Sequence, residues 1–276
     1  MKFQPLKLKK VTAAVAASLM AAVGVVSAPQ ALAGERNLVS FGDSVLADPD
    51  AGTYLQGRLT SSSPGGVNCP SSFNYAKRTA AKLGLPARDF SCSGAVSSMS
   101  GGPQISAQVD EAIRVGALSP DTARVLFSSG FNDTYNNANL SMDDIRRRWV
   151  DAMAPQVERI KQAAPNARIQ IVGYPTIGSG DYYCLFHFGP RPADSTLLPQ
   201  IRDYENKAQW MEIDLAARTG TQFLDMKPST VNNGMCADAD RRMWAGLIDF
   251  TAGPGNLPIH INARGHEHAA NVIAGS

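Results

Sequence analysis

Leu38-Val39-Ser40-Phe41-Gly42-Asp43-Ser44 is the stretch on which the fold turns. A short apolar run passes without a spacer into glycine, aspartate and serine, the pattern of a buried strand that ends in a sharp turn. Four more short apolar or β-branched runs follow, at 88–92, 123–127, 168–173 and 221–225. Segments with helical spacing and helix stops lie between them. One spans 72–83 and closes on Gly84 and Pro86. A second spans 103–118, with Ile105, Val109, Ala112 and Ile113 on one face and Pro120 beyond it. Ser141 is placed to cap a third, which Asp143 and Asp144 favour through the helix dipole and which Pro165 ends, with Pro155 as a candidate kink. A fourth covers 197–219 before Gly220, and a last one follows Asn262. Strand and helix alternate throughout. That order predicts right-handed crossovers and a three-layer α/β/α sandwich around a central parallel sheet of five strands.

In such a fold, ligands bind beyond the carboxyl ends of the strands. The first strand delivers Ser44 there. The second is followed by Ser91-Cys92-Ser93-Gly94-Ala95 and the third by Gly130-Phe131-Asn132-Asp133. Glycine lets backbone N–H groups approach a ligand, and an asparagine amide is a neutral donor suited to a developing oxyanion. Near the C-terminus, Pro258-Ile259-His260-Ile261-Asn262 puts a histidine on the loop before the last helix. Histidine is the usual base for a serine nucleophile. His266 and His268 are two apart and point to different faces of a helix, so a zinc-binding spacing is not met. The irregular stretches 49–72, 176–194 and 227–257 are expected to wall the cleft, with Leu185, Phe186, Phe188, Leu197 and Leu198 as candidates for an acyl pocket.

The ends and the composition bound the setting. Lys2, Lys7, Lys9 and Lys10 precede an apolar run from Val11 to Ala28, and Ala31-Leu32-Ala33 follows. This is the pattern of a secretory signal peptide over 1–33, cut before Gly34. The formal charge of +2 for the full chain becomes −2 once those four lysines are removed, so nucleic acid is not an expected partner. All four cysteines, Cys69, Cys92, Cys184 and Cys236, lie beyond the signal. An even count in an exported protein argues for disulfides. Three pairings are open, of which Cys69–Cys92 and Cys184–Cys236 close the shortest loops.

Gly42-Asp43-Ser44, Gly94, Gly130-Phe131-Asn132-Asp133 and His260, in that order, resemble the four blocks of the SGNH (GDSL) hydrolases. Pro103-Gln104, Gly173-Tyr174-Pro175 and Trp244 look like the secreted bacterial esterase and lipase branch, and the two short-loop disulfides fit it as well. The Gly-x-Ser-x-Gly elbow of α/β-hydrolases is absent. The resemblance covers 34–276 as one flavodoxin-like SGNH hydrolase domain. It implies Ser44 as nucleophile and His260 as base, with Ser44, Gly94 and Asn132 forming the oxyanion hole. Many members carry Asp three residues before the histidine, where this chain has Leu257. The Leu257 carbonyl is therefore expected to orient the ring, with Asp249 the alternative. A usual proline after the histidine is replaced by Ile261.

The function this implies is hydrolysis of a carboxylic ester outside the cytoplasm, by a monomer without cofactor or metal. The substrate is a small-molecule or lipid ester, free or in the cell envelope. A polysaccharide O-deacetylase and a non-catalytic envelope-binding relative are the alternatives.

Overall fold

The computed structural model describes residues 34–60 and 69–276. The expected signal peptide, 1–33, lies outside the described residues. The chain forms β1 (Leu38–Gly42), α1 (Ser44–Ala47), α2 (Ala51–Thr60), α3 (Tyr75–Lys82), β2 (Ala87–Asp89), α4 (Ile105–Arg114), β3 (Arg124–Ser128), α5 (Phe131–Asn136), α6 (Met142–Ala163) and β4 (Arg168–Val172). It continues through β5 (Tyr182–Tyr183), β6 (Phe186–His187), β7 (Thr196–Leu197), α7 (Pro199–Thr219), β8 (Gln222–Leu224), α8 (Lys227–Thr230), β9 (Ile248–Asp249) and α9 (Ala263–Gly275).

Five strands pair in parallel in the order β2-β1-β3-β4-β8. The first crossover leaves β1 on one side and the next returns on the other. The carboxyl ends of β1 and β3 therefore flank the switch point where a ligand crevice forms. Strand alternation divides the core in two. Val39, Phe41, Val125 and Phe127 pack with Ile105, Val109, Trp149, Met153 and Val157 of α4 and α6. On the opposite face Leu38 and Leu126 meet Tyr75, Ala76, Ala269 and Ile273 of α3 and α9. This is the three-layer α/β/α sandwich expected from the order of elements.

Local chemistry sets the helix ends. The Ser141 hydroxyl accepts from Asp144 N at 3.1 Å to start α6, which runs through Pro155 as one helix. Asn262 Oδ1 accepts from Gly265 N at 3.0 Å to start α9, and Gly220, at φ 62°, ends α7. The second strand's ladder is shorter than the expected 88–92, although Phe90 N and Cys92 N still donate to Ser40 O and Gly42 O. The start of α7 moves from Leu197 to Pro199 because Thr196 and Leu197 pair with Tyr183 and Tyr182.

The stretch 49–72, expected to be irregular, contains α2. Asp50 Oδ1 accepts from Gly52 N at 2.9 Å and Thr53 N at 3.3 Å and caps it. Disulfides join Cys69 to Cys92 and Cys184 to Cys236. The second ties the 176–198 region to the 227–257 region, the two long loops that follow β4 and β8.

Candidate active site

The turn after β1 is held from all sides. A Cβ at Gly42 would lie 2.4 Å from the Ser128 carbonyl oxygen, so no other residue fits. Gln108 grips the same glycine twice, accepting from its N–H at 3.0 Å and donating to its carbonyl at 2.9 Å. Asp43 N donates to Ser128 O at 3.2 Å, while Asp43 Oδ1 accepts from Val45 N at 2.9 Å and starts α1. Ser44 is the first residue of that helix.

Asp43 Oδ2 accepts a short hydrogen bond from the buried Tyr174 hydroxyl, whose oxygen in turn accepts from Phe131 N at 3.1 Å. One phenol thus links the Ser44 turn to the start of α5, where Asn132 sits. Burial pushes the Asp43 carboxyl up to about 6, against the opposing pull of Tyr174 and the Val45 N–H. Burial also raises Glu212, which neighbours Asp43, well above the carboxylate range.

The second and third turns are locked to each other. Gly130 has φ 132°, a conformation that side-chain-bearing residues rarely adopt, and a Cβ there would also press on Met211 Cε at 2.7 Å, so the conformation demands glycine. Asn132 Nδ2 donates to Ala95 O at 2.8 Å and its Oδ1 accepts from the Tyr135 hydroxyl at 2.9 Å. These bonds fix the amide orientation and leave one N–H of the side chain for a ligand. Asp133 accepts from Ser97 N at 3.1 Å and from Ser98 N and Oγ, both at 2.8 Å. Gly94 and Asn132 are thereby carried on one hydrogen-bonded unit.

His260 is held differently. Its Nδ1 lies 2.8 Å from the Pro258 carbonyl oxygen. The expected orienter, the Leu257 carbonyl, instead accepts from Asn256 Nδ2 at 2.8 Å. The cause is Ile259, which sits at φ 54° and turns the chain back so that the carbonyl two residues before the histidine reaches the ring. A β-branched residue in that region carries a strain of about 1–3 kcal/mol. The loop is secured by Ala245 N to His260 O at 2.7 Å and Ile259 N to Gly246 O at 2.9 Å. Asp249, the carboxylate alternative, accepts from Arg242, Gly246 N and Thr251 N and lies 3.3 Å from His187. Desolvation lowers the His260 pKa, with the Pro258 carbonyl pulling the other way, so the neutral imidazole is favoured at neutral pH. The other C-terminal histidines are engaged structurally: His266 bonds Asp48 Oδ2 at 2.8 Å and accepts from Tyr75 N, and His268 bonds Ser229.

Ser44, Gly94, Asn132 and His260 all line one cavity of about 710 Å³. Much of the rest of its wall is apolar, with Leu185, Leu198, Ile201, Met235, Trp244 and Leu247 among the lining residues. Of the five residues expected in an acyl pocket, Leu185 and Leu198 line it. Phe186, Phe188 and Leu197 do not, and Phe188 and Leu197 are exposed. Strand alternation is the reason, since neighbours in β6 and β7 point to opposite faces. Asp133, Tyr174 and Gln108 are site residues to which the sequence alone assigns no task. Their partners are distant in sequence; for Asp133 and Tyr174 a polar side chain beside a strand end is the available signal, and Gln108, inside α4, has none.

The chain belongs to the GDSL-like lipase/acylhydrolase family, whose model matches residues 40–268. No curated protein matches it. Among solved structures it resembles a phospholipase A1 from Streptomyces albidoflavus, at 18% identity and a TM-score of 0.57, over 87% of this chain and 99% of that one. An extracellular lipase from Streptomyces rimosus, also 18% identical, gives 0.54 over 86% and 98%. At these identities the likeness is one of fold, here the SGNH hydrolase α/β fold.

Proposed function

We propose that the protein is an exported serine hydrolase that cleaves carboxylic esters with an apolar acyl group. The observation that carries this reading is the shared cavity: a serine, an imidazole and an oriented amide line the same cavity, whose wall is otherwise largely apolar. Two disulfides, together with the absence of any helix long and apolar enough to cross a membrane among the described residues, are consistent with export.

In this mechanism the Pro258 carbonyl accepts the His260 Nδ1–H and so leaves the Nε2 lone pair free to act as base. Ser44 Oγ attacks the ester carbonyl as Nε2 takes its proton. The negative charge on the former carbonyl oxygen is met by the N–H groups of Ser44 and Gly94 and by Asn132 Nδ2. Collapse of the tetrahedral intermediate expels the alcohol with the proton from His260. Water activated by the same ring then releases the carboxylic acid and restores Ser44.

The test is a panel of p-nitrophenyl esters from acetyl to palmitoyl with wild type and Ser44→Ala. The expected result is a preference for acyl groups longer than acetyl and a loss of turnover in Ser44→Ala of about 10⁴-fold or more. Preference for acetyl would favour a polysaccharide O-deacetylase. A folded wild-type protein with no activity would favour an envelope-binding relative.

A further inference from the structure

β6 and β9 pair in parallel, Phe186 with Ile248 and His187 with Asp249. Alternation turns this two-stranded ribbon inside out. Its inward side is polar: His187 is fully buried, its Nδ1 is 3.3 Å from Asp249 Oδ2, and the buried Arg242 meets the same carboxylate at 3.0 Å. Its outward side is apolar. Phe186 and Phe188 stack with centroids 6.4 Å apart, Phe188 and Phe250 lie 5.7 Å apart, and Ile248 stands beside them. Phe188 is 59% exposed and Phe250 is 76% exposed. Leaving large aromatic side chains in water forgoes the burial that normally stabilises a fold, and a contiguous exposed apolar patch marks an interaction surface.

What meets this surface follows from what it adjoins. Leu185 and Leu247, the residues just before the two strands, line the Ser44 cavity, and so does the half-exposed Ile259. Ala245 and Gly246 hydrogen-bond the His260 loop directly. The immediate chain neighbours of the outward side chains are thus wall residues of the cavity, and the ribbon lies at the cavity's edge. None of Phe186, Phe188, Ile248 and Phe250 carries a charge. We propose that this ribbon docks the protein on a lipid surface, with Phe188 and Phe250 entering the boundary between headgroups and acyl chains so that an ester passes from the lipid into the cavity. This rests on the esterase reading above for its purpose, and on the ribbon's geometry for its existence. The chain beyond residue 33 has a formal charge of −2, so the contact is apolar and does not call for anionic lipid.

The experiment uses the full chain with phosphatidylcholine vesicles. Phe250→Trp places a fluorophore on the ribbon, and the emission it adds over wild type is expected to be quenched by vesicles with brominated acyl chains. In parallel, Phe188→Ser with Phe250→Ser is expected to lower turnover of a vesicle-borne ester about tenfold or more. Turnover of monomeric p-nitrophenyl butyrate is expected to stay within about twofold, because neither side chain lines the cavity. Added emission that brominated lipid leaves unquenched would overturn the proposal, as would equal losses on both substrates. So would a concentration-dependent dimer that the double substitution abolishes without any quenching, which would assign the ribbon to a second copy. A wild type inactive on both esters would overturn the esterase reading alone, since the quenching still decides docking.

Discussion

The two segments that bring Ser44 and His260 together are built on opposite plans. The 42–44 turn is buried in the sheet's carboxyl end and tied by Gln108, Ser128 and Tyr174, residues from three other parts of the chain. The 257–260 loop lies at the surface. Ile259 is 47% exposed and in a strained conformation, and the imidazole is oriented by a carbonyl only two residues away. A nucleophile fixed by the core and a base fixed by a local turn will respond differently to substitution. Changes near Ser44 should propagate through the shared network, whereas the ring of His260 depends on its own turn and on the neighbouring 244–246 segment that holds the loop.

Asn132→Ala tests the core-held side and should have the larger effect. It removes one oxyanion donor, and turnover is expected to fall by ~10²–10³ with the fold intact, as read by circular dichroism and ester kinetics. Unchanged turnover would detach the 130–133 turn from the chemistry. Asp249→Asn tests the locally held side. If the Pro258 carbonyl is the orienter, turnover should change by less than about threefold, whereas loss of a triad carboxylate costs ~10⁴. The same variant and the wild type should share a pH profile. Because burial lowers the His260 pKa, the neutral base persists to lower pH, and the acid limb of kcat/KM should fall below the ordinary histidine value of about 6.5. A limb above that value would contradict the desolvated imidazole.

The same contrast explains what the sequence shows and what it hides. Strands ending in Ser44, Gly94 and Asn132 were legible because each is a short apolar run closed by turn chemistry, and Ser141, Gly220 and Asn262 were legible as caps for the same local reason. The Pro258 carbonyl was not, because nothing in Leu257-Pro258-Ile259-His260 announces that isoleucine adopts a positive φ. The two-residue strands β6 and β9 are too short to display a period of two, so Phe186 and Phe188 looked like cleft wall when they form the outer side of a ribbon. The bond from Tyr174 to Asp43 joins residues 131 positions apart and has no local trace.

Covalent labelling asks whether Ser44 is the group that attacks the ester. The wild-type protein and Ser44→Ala would be treated with a fluorophosphonate, digested and analysed by mass spectrometry for the site of the adduct. One phosphonyl group is expected on the peptide containing Ser44 and none in Ser44→Ala. An adduct on another serine, or equal labelling of the two proteins, would contradict that role for Ser44.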